Sequence, residues 1–183
     1  MNLITITITD LSEVDFDGLY EKARDAIDAS WPASSTMTNE ERKQAMIAII
    51  TSGLNDEWPG LNVHGPQDRY VAAKQVDLDT NTDVGLVTGF VLPDGTFDGR
   101  HSMSAPDENG SRNWLYSDQF RQARNDWYAS IGVTKTLYRN IPTDSIMHRS
   151  VRMRENAGHY TILEDVQSPT FGPDFRNILV QFN

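Results

Sequence analysis

The sequence has no cysteine among its 183 residues. That removes disulfides, thiolate metal sites and cysteine nucleophiles together. It also lacks any apolar run near the roughly 18 residues that a membrane-spanning helix needs. Its first ten residues, MNLITITITD, hold no basic stretch and alternate apolar with polar side chains, so they read as a strand and not as a signal peptide. Cytoplasmic residence is the resulting expectation. Positive charge is in deficit: 26 acidic residues face 16 basic ones, a formal net charge of −10. Nucleic acid and membrane surfaces are therefore not expected as partners. Several chemical signatures are missing as well. There is no Gly-x-x-x-x-Gly-Lys-Ser/Thr loop and no Gly-x-Ser-x-Gly elbow. No two of His64, His101, His148 and His159 stand at metal-ligand spacing, so no metal is expected.

What is present suits a globular enzyme or binding module. Apolar residues make up 38% and charged residues 23%, enough for one domain over 1–183 with a full core. The charge is uneven. Residues 1–99 hold 17 acids and 6 bases, whereas 100–154 hold 5 acids and 9 bases. A solvated mixed-charge face and a local anion site both fit the second stretch. The sequon Asn109-Gly110-Ser111 reads as a turn.

Periodicity then places the elements. LITITIT at 3–9 alternates as a half-buried strand. Asp15 caps a helix over 16–30 with the stripe Phe16, Leu19, Tyr20, Ala23 and Ile27. Thr38 and Glu41 form a capping box for a helix over 39–52, with Ala45, Met46, Ile49 and Ile50 inward and Gly53 ending it. Strands over 70–78, 84–92 and 96–104 are joined by short turns and so form an antiparallel meander. A helix over 118–131 carries Phe120, Ala123, Trp127 and Ile131 inward. A strand at 134–141, a helix at 144–156 and strands at 160–166 and 175–182 complete the chain, with QSPTFGPD expected to form a flap. Trp31, Trp58 and Trp114 fall in loops, where each seals a core edge or offers a contact. The basic helix 144–156, with His148, Arg149, Arg152 and Arg154, reads as a solvated face or a phosphate contact.

The order β-α-α-β-β-β-α-β-α-β-β resembles the GCN5-related N-acetyltransferase (GNAT) fold. RSVRMRENAGHYTILE adds to the likeness, with Gly158-His159-Tyr160 where that family has a Gly-aromatic junction. The resemblance implies an α/β (α+β) single domain: a mixed, mainly antiparallel twisted sheet with helices on both faces. Strands 96–104 and 134–141 should run parallel and splay apart, with acyl-CoA as co-substrate in the gap. The acceptor would be a small-molecule or protein amine, and a homo-oligomer stays open.

The family holds the pyrophosphate in an Arg/Gln-x-x-Gly-x-Gly/Ala loop, because backbone N–H groups at a helix start must approach phosphate closely. The matching residues are Arg112, Asn113, Trp114, Leu115, Tyr116 and Ser117. Leu115 stands where the first glycine belongs, and its side chain is expected to crowd the cradle. The family also places a carboxylate base on the fourth or fifth strand. Here only Asp98 begins that stretch, and His101 is the substitute base, titrating near working pH. The family's general-acid tyrosine falls at Arg154, which leaves Tyr138, with Tyr160 near it, as the hydroxyl candidate. Two functions follow: an acyl-CoA-dependent N-acyltransferase, or a non-catalytic GNAT-fold binding or assembly protein.

Overall fold

The computed structural model describes residues 2–30, 36–57, 67–106 and 118–183. Their order is β1 Leu3–Ile8, α1 Phe16–Ser30, α2 Asn39–Leu54, β2 Arg69–Asp77, β3 Thr82–Val91 and β4 Thr96–Ser104. Then come α3 Asp118–Ser130, β5 Lys135–Pro142, α4 Ile146–Asn156, β6 Tyr160–Ser168 and β7 Gly172–Phe182. The seven strands form one sheet in the order β1-β2-β3-β4-β5-β7-β6, antiparallel throughout except for the parallel pair β4–β5. The expected meander and crossover are both present.

Helices cover both faces. The α1 stripe is buried throughout, from Phe16 to Ile27, and packs with Met46 and Ile50 of α2 on Ala72, Leu86 and Met103 of the sheet. On the opposite face, Trp127 and Tyr128 of α3 pack on Val71, Ala73, Val87, Val91 and Phe97. α3 reaches as far as the edge strand, where the Trp127 indole N–H donates to Thr7 Oγ1 at 2.8 Å. α4 lies on this second face too, with Val151 against Tyr160, Ile178 and Val180.

Local chemistry sets the ends. Asp15 Oδ1 accepts from the Gly18 N–H, the cap expected for α1. Thr38 and Glu41 close the capping box of α2. Gly132 sits at φ +81 after α3 and Gly158 at φ +74 after α4, a region open to glycine without strain.

Three details depart from the sequence reading. Gly53 does not end α2 but lies inside it, against β2. A Cβ there would stand 2.5 Å from a Tyr70 ring carbon, so the glycine permits close packing. Ala45 and Ile49 are only partly buried, and the inward line of α2 is Met46, Ile50 and Gly53. The segment after β6 is no flap. β6 and β7 stay paired down to Ser168↔Gly172, because the buried Ser168 hydroxyl accepts the N–H groups of Thr170 and Phe171 and so closes a tight turn. Trp31, Trp58 and Trp114 lie outside the described residues.

Gly53→Ala tests the first of these. Alanine is the better helix former by about 1 kcal/mol. Overpacking of this kind costs about 1–3 kcal/mol. The variant is expected to be less stable, with a lower urea midpoint at unchanged m-value. A stabilised variant would show that Tyr70 moves aside freely.

Candidate active site

β4 and β5 pair over only three positions, Thr96↔Lys135, Phe97↔Thr136 and Asp98↔Leu137, and then part. The cause is an irregularity in each strand at the same height. In β4, Thr88 faces His101 while Gly89 faces Gly99, so Arg100 is an extra residue that bulges out of the ladder. In β5, the register against β7 slips between Tyr138 and Ile141. Asn140 takes φ +54 there, and its N–H donates to Asn177 Oδ1 at 2.8 Å. Bulges bend and twist a strand locally. Two at one level turn β4 and β5 away from each other, and the splay expected between these strands is present.

On the α1/α2 face, Asp98 is fully buried at the last paired rung. Arg139 grips it from β5 in a bidentate pair, Nε to Oδ1 at 2.8 Å and Nη2 to Oδ2 at 2.9 Å. Arg100 reaches the same carboxylate at 3.4 Å, with its guanidinium 5.5 Å over the Phe90 ring. His101 Nδ1 stands 3.4 Å from Thr88 Oγ1. Burial first, then the nearby Arg100 charge, lower the His101 pKa and keep the imidazole neutral. Tyr70 lies edge-on to Phe90 at 5.4 Å, and burial raises its phenol.

The α3/α4 face carries a different group. Tyr138 is the first β5 residue past the parting, and two guanidiniums converge beside it on Tyr160 of β6. Arg124 Nη2 of α3 approaches the Tyr160 hydroxyl at 3.4 Å and Arg154 Nη1 of α4 at 3.3 Å. Arg124 also lies 5.9 Å over the Tyr128 ring, and its buried Nε has no hydrogen-bond partner. Phe182 stacks on Tyr128 at 5.4 Å and packs on Tyr160 at 5.6 Å. Tyr138 keeps part of its side chain exposed, yet its phenol is densely surrounded, and this burial raises its pKa despite the Arg124 charge. Burial alone would raise Tyr160 too. The charges of Arg124 and Arg154 and the hydrogen bonds from Tyr138 and Arg154 outweigh it and bring the phenol below its ordinary value. Tyr128, deep against the sheet, is pushed up to about 12, chiefly by burial.

The two candidate residues lie on opposite sides of the sheet, His101 on one face and Tyr138 on the other. Arg112, Asn113, Trp114, Leu115, Tyr116 and Ser117 lie outside the described residues. Sequence reasoning missed the Asp98–Arg139 pair and the burial of Arg124 beside Tyr160. A signal for Arg124 existed: it falls four residues after Phe120 and four before Tyr128, on the inward side of α3. The basic helix is not merely solvated, since Arg152 and Arg176 both engage Asp165. Among the described residues no helix is long and apolar enough to cross a membrane, and no three His, Asp or Glu side chains gather for a metal. A separate cleft of about 380 Å³, lined by Ile6, Lys22, Lys74 and Asp83, holds its own ion pair, Lys74 to Asp83 at 3.3 Å.

No family model and no curated protein matches the sequence. Solved structures do. A GCN5-related N-acetyltransferase from Kribbella flavida superposes with TM-score 0.53 at 15% identity, over 100% of this chain and 98% of that one. Spermidine N-acetyltransferase from Vibrio cholerae, in complex with CoA and spermine, gives 0.56 at 10% identity over 98% and 94%. The aminoglycoside acetyltransferase AAC(6')-Ib, in complex with coenzyme A and kanamycin, gives 0.59 at 13% identity over 99% and 95%. The fold of this chain is therefore the GNAT fold, in a single α+β domain.

Two measurements test the α1/α2 face. Arg139→Met strands a fully buried carboxylate, whereas Asp98→Asn frees an arginine whose side chain is 35% exposed and can turn to water. Breaking a buried pair costs about 3–5 kcal/mol. Arg139→Met is expected at or just below that range, because Arg100 remains, and Asp98→Asn well below it. Equal losses in denaturant melts would show that burial of Asp98 does not set the cost. His101 supplies the second test. Its folded pKa is lowered, so the unfolded state binds the proton more readily, and stability falls as pH drops from about 6.5 through the folded value. His101→Gln is expected to shrink the loss of Tm between pH 7.5 and 5.5.

Proposed function

We propose that the chain is an acyl-CoA-dependent N-acyltransferase whose acceptor is a small-molecule or protein amine. The observation that supports this reading best is the parting of β4 and β5, with ionisable groups on both faces of the gap. Beyond Asp98 and Leu137 the facing strand edges carry main-chain N–H and C=O groups not paired with each other. The amide-bearing arm of an acyl-CoA is an extended chain that can use such groups. Arg124, with its unpartnered buried Nε, suits a neighbourhood that receives negative charge. Arg112 to Ser117, before α3, are the residues that would hold the pyrophosphate. The bound thioester would supply the activated acyl group.

The chain's own residues divide the remaining work. At neutral pH an aliphatic amine arrives as an ammonium ion and must lose a proton before it can attack. His101, held neutral, is the base proposed for that step. The bidentate Asp98–Arg139 pair fixes the floor of the gap. Tyr138 faces the gap from the other side. Spermidine and aminoglycosides, the amines of the similar structures, are the first acceptors to try, and cytoplasmic residence fits such an activity.

Thiol release with acetyl-CoA and a panel of polyamines, aminoglycosides and peptides tests this directly. The protein has no cysteine, so every thiol detected comes from CoA. Release that needs both enzyme and amine is expected. No release with any acceptor, together with no acetyl-CoA binding by calorimetry, would overturn the reading. Leu115→Gly should also tighten acetyl-CoA. One regained charge-assisted hydrogen bond is worth about 1.5–3 kcal/mol, or about ten- to a hundredfold in Kd.

A further inference from the structure

We propose that Arg124, with Arg154 and Tyr160 beside it, is a receptor for a carboxylate at the end of the transferred acyl group, so that the donor is the thioester of a short dicarboxylic acid. The acyl assignment rests on the N-acyltransferase reading. The starting point is a cation without an anion. A guanidinium keeps its proton at any working pH, so its burial is not relieved by becoming neutral. Buried charges are ordinarily paired. The Arg124 Nε is shut off from water and has no hydrogen-bond partner. Its Nη2 reaches a hydroxyl, that of Tyr160, at 3.4 Å, and no carboxylate bonds to it among the described residues. Other arginines of the sheet are provided for: Arg139 holds Asp98 at 2.8 and 2.9 Å, and Arg152 and Arg176 both engage Asp165.

The surroundings add donors and apolar walls. Arg154 Nη1 comes from α4 to the same Tyr160 hydroxyl at 3.3 Å, with its guanidinium 6.0 Å over the Tyr160 ring. A neutral phenol that accepts N–H groups still has its own hydrogen to give. Aromatic rings close the sides. Tyr128 lies 5.9 Å under the Arg124 guanidinium, and Phe182 packs on Tyr128 and Tyr160 at 5.4 and 5.6 Å. A planar guanidinium with a ring beneath it and a hydroxyl beside it suits a planar carboxylate, and walls of low polarity strengthen the attraction. The same lining repels an ammonium group.

The two sides of the sheet indicate which substrate brings the carboxylate. His101, the base proposed for the amine, lies on the α1/α2 face, so the acceptor nitrogen belongs on that side. The Arg124 cluster lies on the α3/α4 face, where Tyr138 is the first β5 residue past the parting. The strand edges proposed to hold the thioester arm begin at the same level. The α3/α4 face is thus left to the donor. An acetyl group offers a guanidinium nothing, whereas an acyl chain ending in a carboxylate, such as succinyl, supplies the missing anion.

Calorimetric binding of succinyl-CoA and butyryl-CoA tests the site without any transfer. The two acyl chains have the same length and the CoA is identical, so contacts to the shared part of the molecule cancel in the ratio of their Kd values. Succinyl-CoA is expected to bind about tenfold or more tightly than butyryl-CoA. Arg124→Met should bring the ratio close to one, and Arg124→Lys, which keeps the charge without the fork, should restore part of it. Circular dichroism establishes that each variant is folded. Should Arg124→Met fail to fold, Arg154→Gln is the second variant, expected to shrink the ratio. Equal binding of the two thioesters overturns the acyl assignment and leaves the transferase reading standing. In that case, acetyl transfer that prefers an amino acid to the amine lacking its carboxylate, with the preference lost in Arg124→Met, assigns the carboxylate to the acceptor; no such preference overturns the receptor too. Binding of neither thioester overturns the transferase reading, and free succinate then judges the receptor by itself. A rise in Tm with succinate and not with butyrate, absent in Arg124→Met, upholds it, and no rise overturns it.

Discussion

Asp98 is a carboxylate with no access to water, and the middle of the sheet depends on how it is neutralised. The β4–β5 ladder ends at Asp98↔Leu137, where a seven-stranded sheet would otherwise continue. Arg139, two residues further along β5, reaches back across the opening and closes two hydrogen bonds on the Asp98 carboxylate. A side-chain pair thus ties the strands where the backbone ladder stops. The gap thus opens at two bulges and is bridged at its base by an ion pair between residues distant in sequence.

That arrangement makes the two faces chemically unlike. On the α1/α2 face the carboxylate absorbs cationic charge, and His101 beside Arg100 is kept neutral. On the α3/α4 face no carboxylate bonds to Arg124 among the described residues, and the neighbouring phenols answer its charge instead. Burial disfavours the Arg124 cation, yet those phenols hold its pKa above the ordinary value. The gap thus has a neutral imidazole on one side and phenols gathered around a buried guanidinium on the other.

Much of the fold was legible because it rests on local periodicity. The strict alternation of LITITIT, the Thr38–Glu41 box and the α3 stripe through Trp127 each follow from residues near one another, and each is found as read. Gly53 was misread because a glycine near a helix end ordinarily supplies positive φ. Its requirement is a ring from β2, 17 positions away. Where the candidate residues lie relative to the sheet was not legible for a related reason. Counting alternate residues along β4 from Phe97 puts His101 on the α3 face, on the side where Tyr138 also lies. The extra residue at Arg100 reverses that parity and carries His101 to the other side. A single bulge therefore puts the two candidate residues on opposite sides of the sheet. It also hid the Asp98–Arg139 pair, 41 residues apart, whose meeting depends on the register at which the ladder stops.

The resemblance placed a tyrosine at position 154, and the chain has arginine there. The substitution moves the hydroxyl without emptying the region of one. Arg154 turns its guanidinium onto Tyr160, six residues on, and Arg124 arrives at the same oxygen from α3. A phenol fixed in β6, between β7 and two helices, is more rigidly held than one on a terminal helical turn, because its ring is enclosed by Phe182 and its oxygen is reached from both helices. Both helices thus touch the sheet through that oxygen as well as through their apolar stripes. The two contacts add to the apolar packing that already seats α3 and α4 on the sheet.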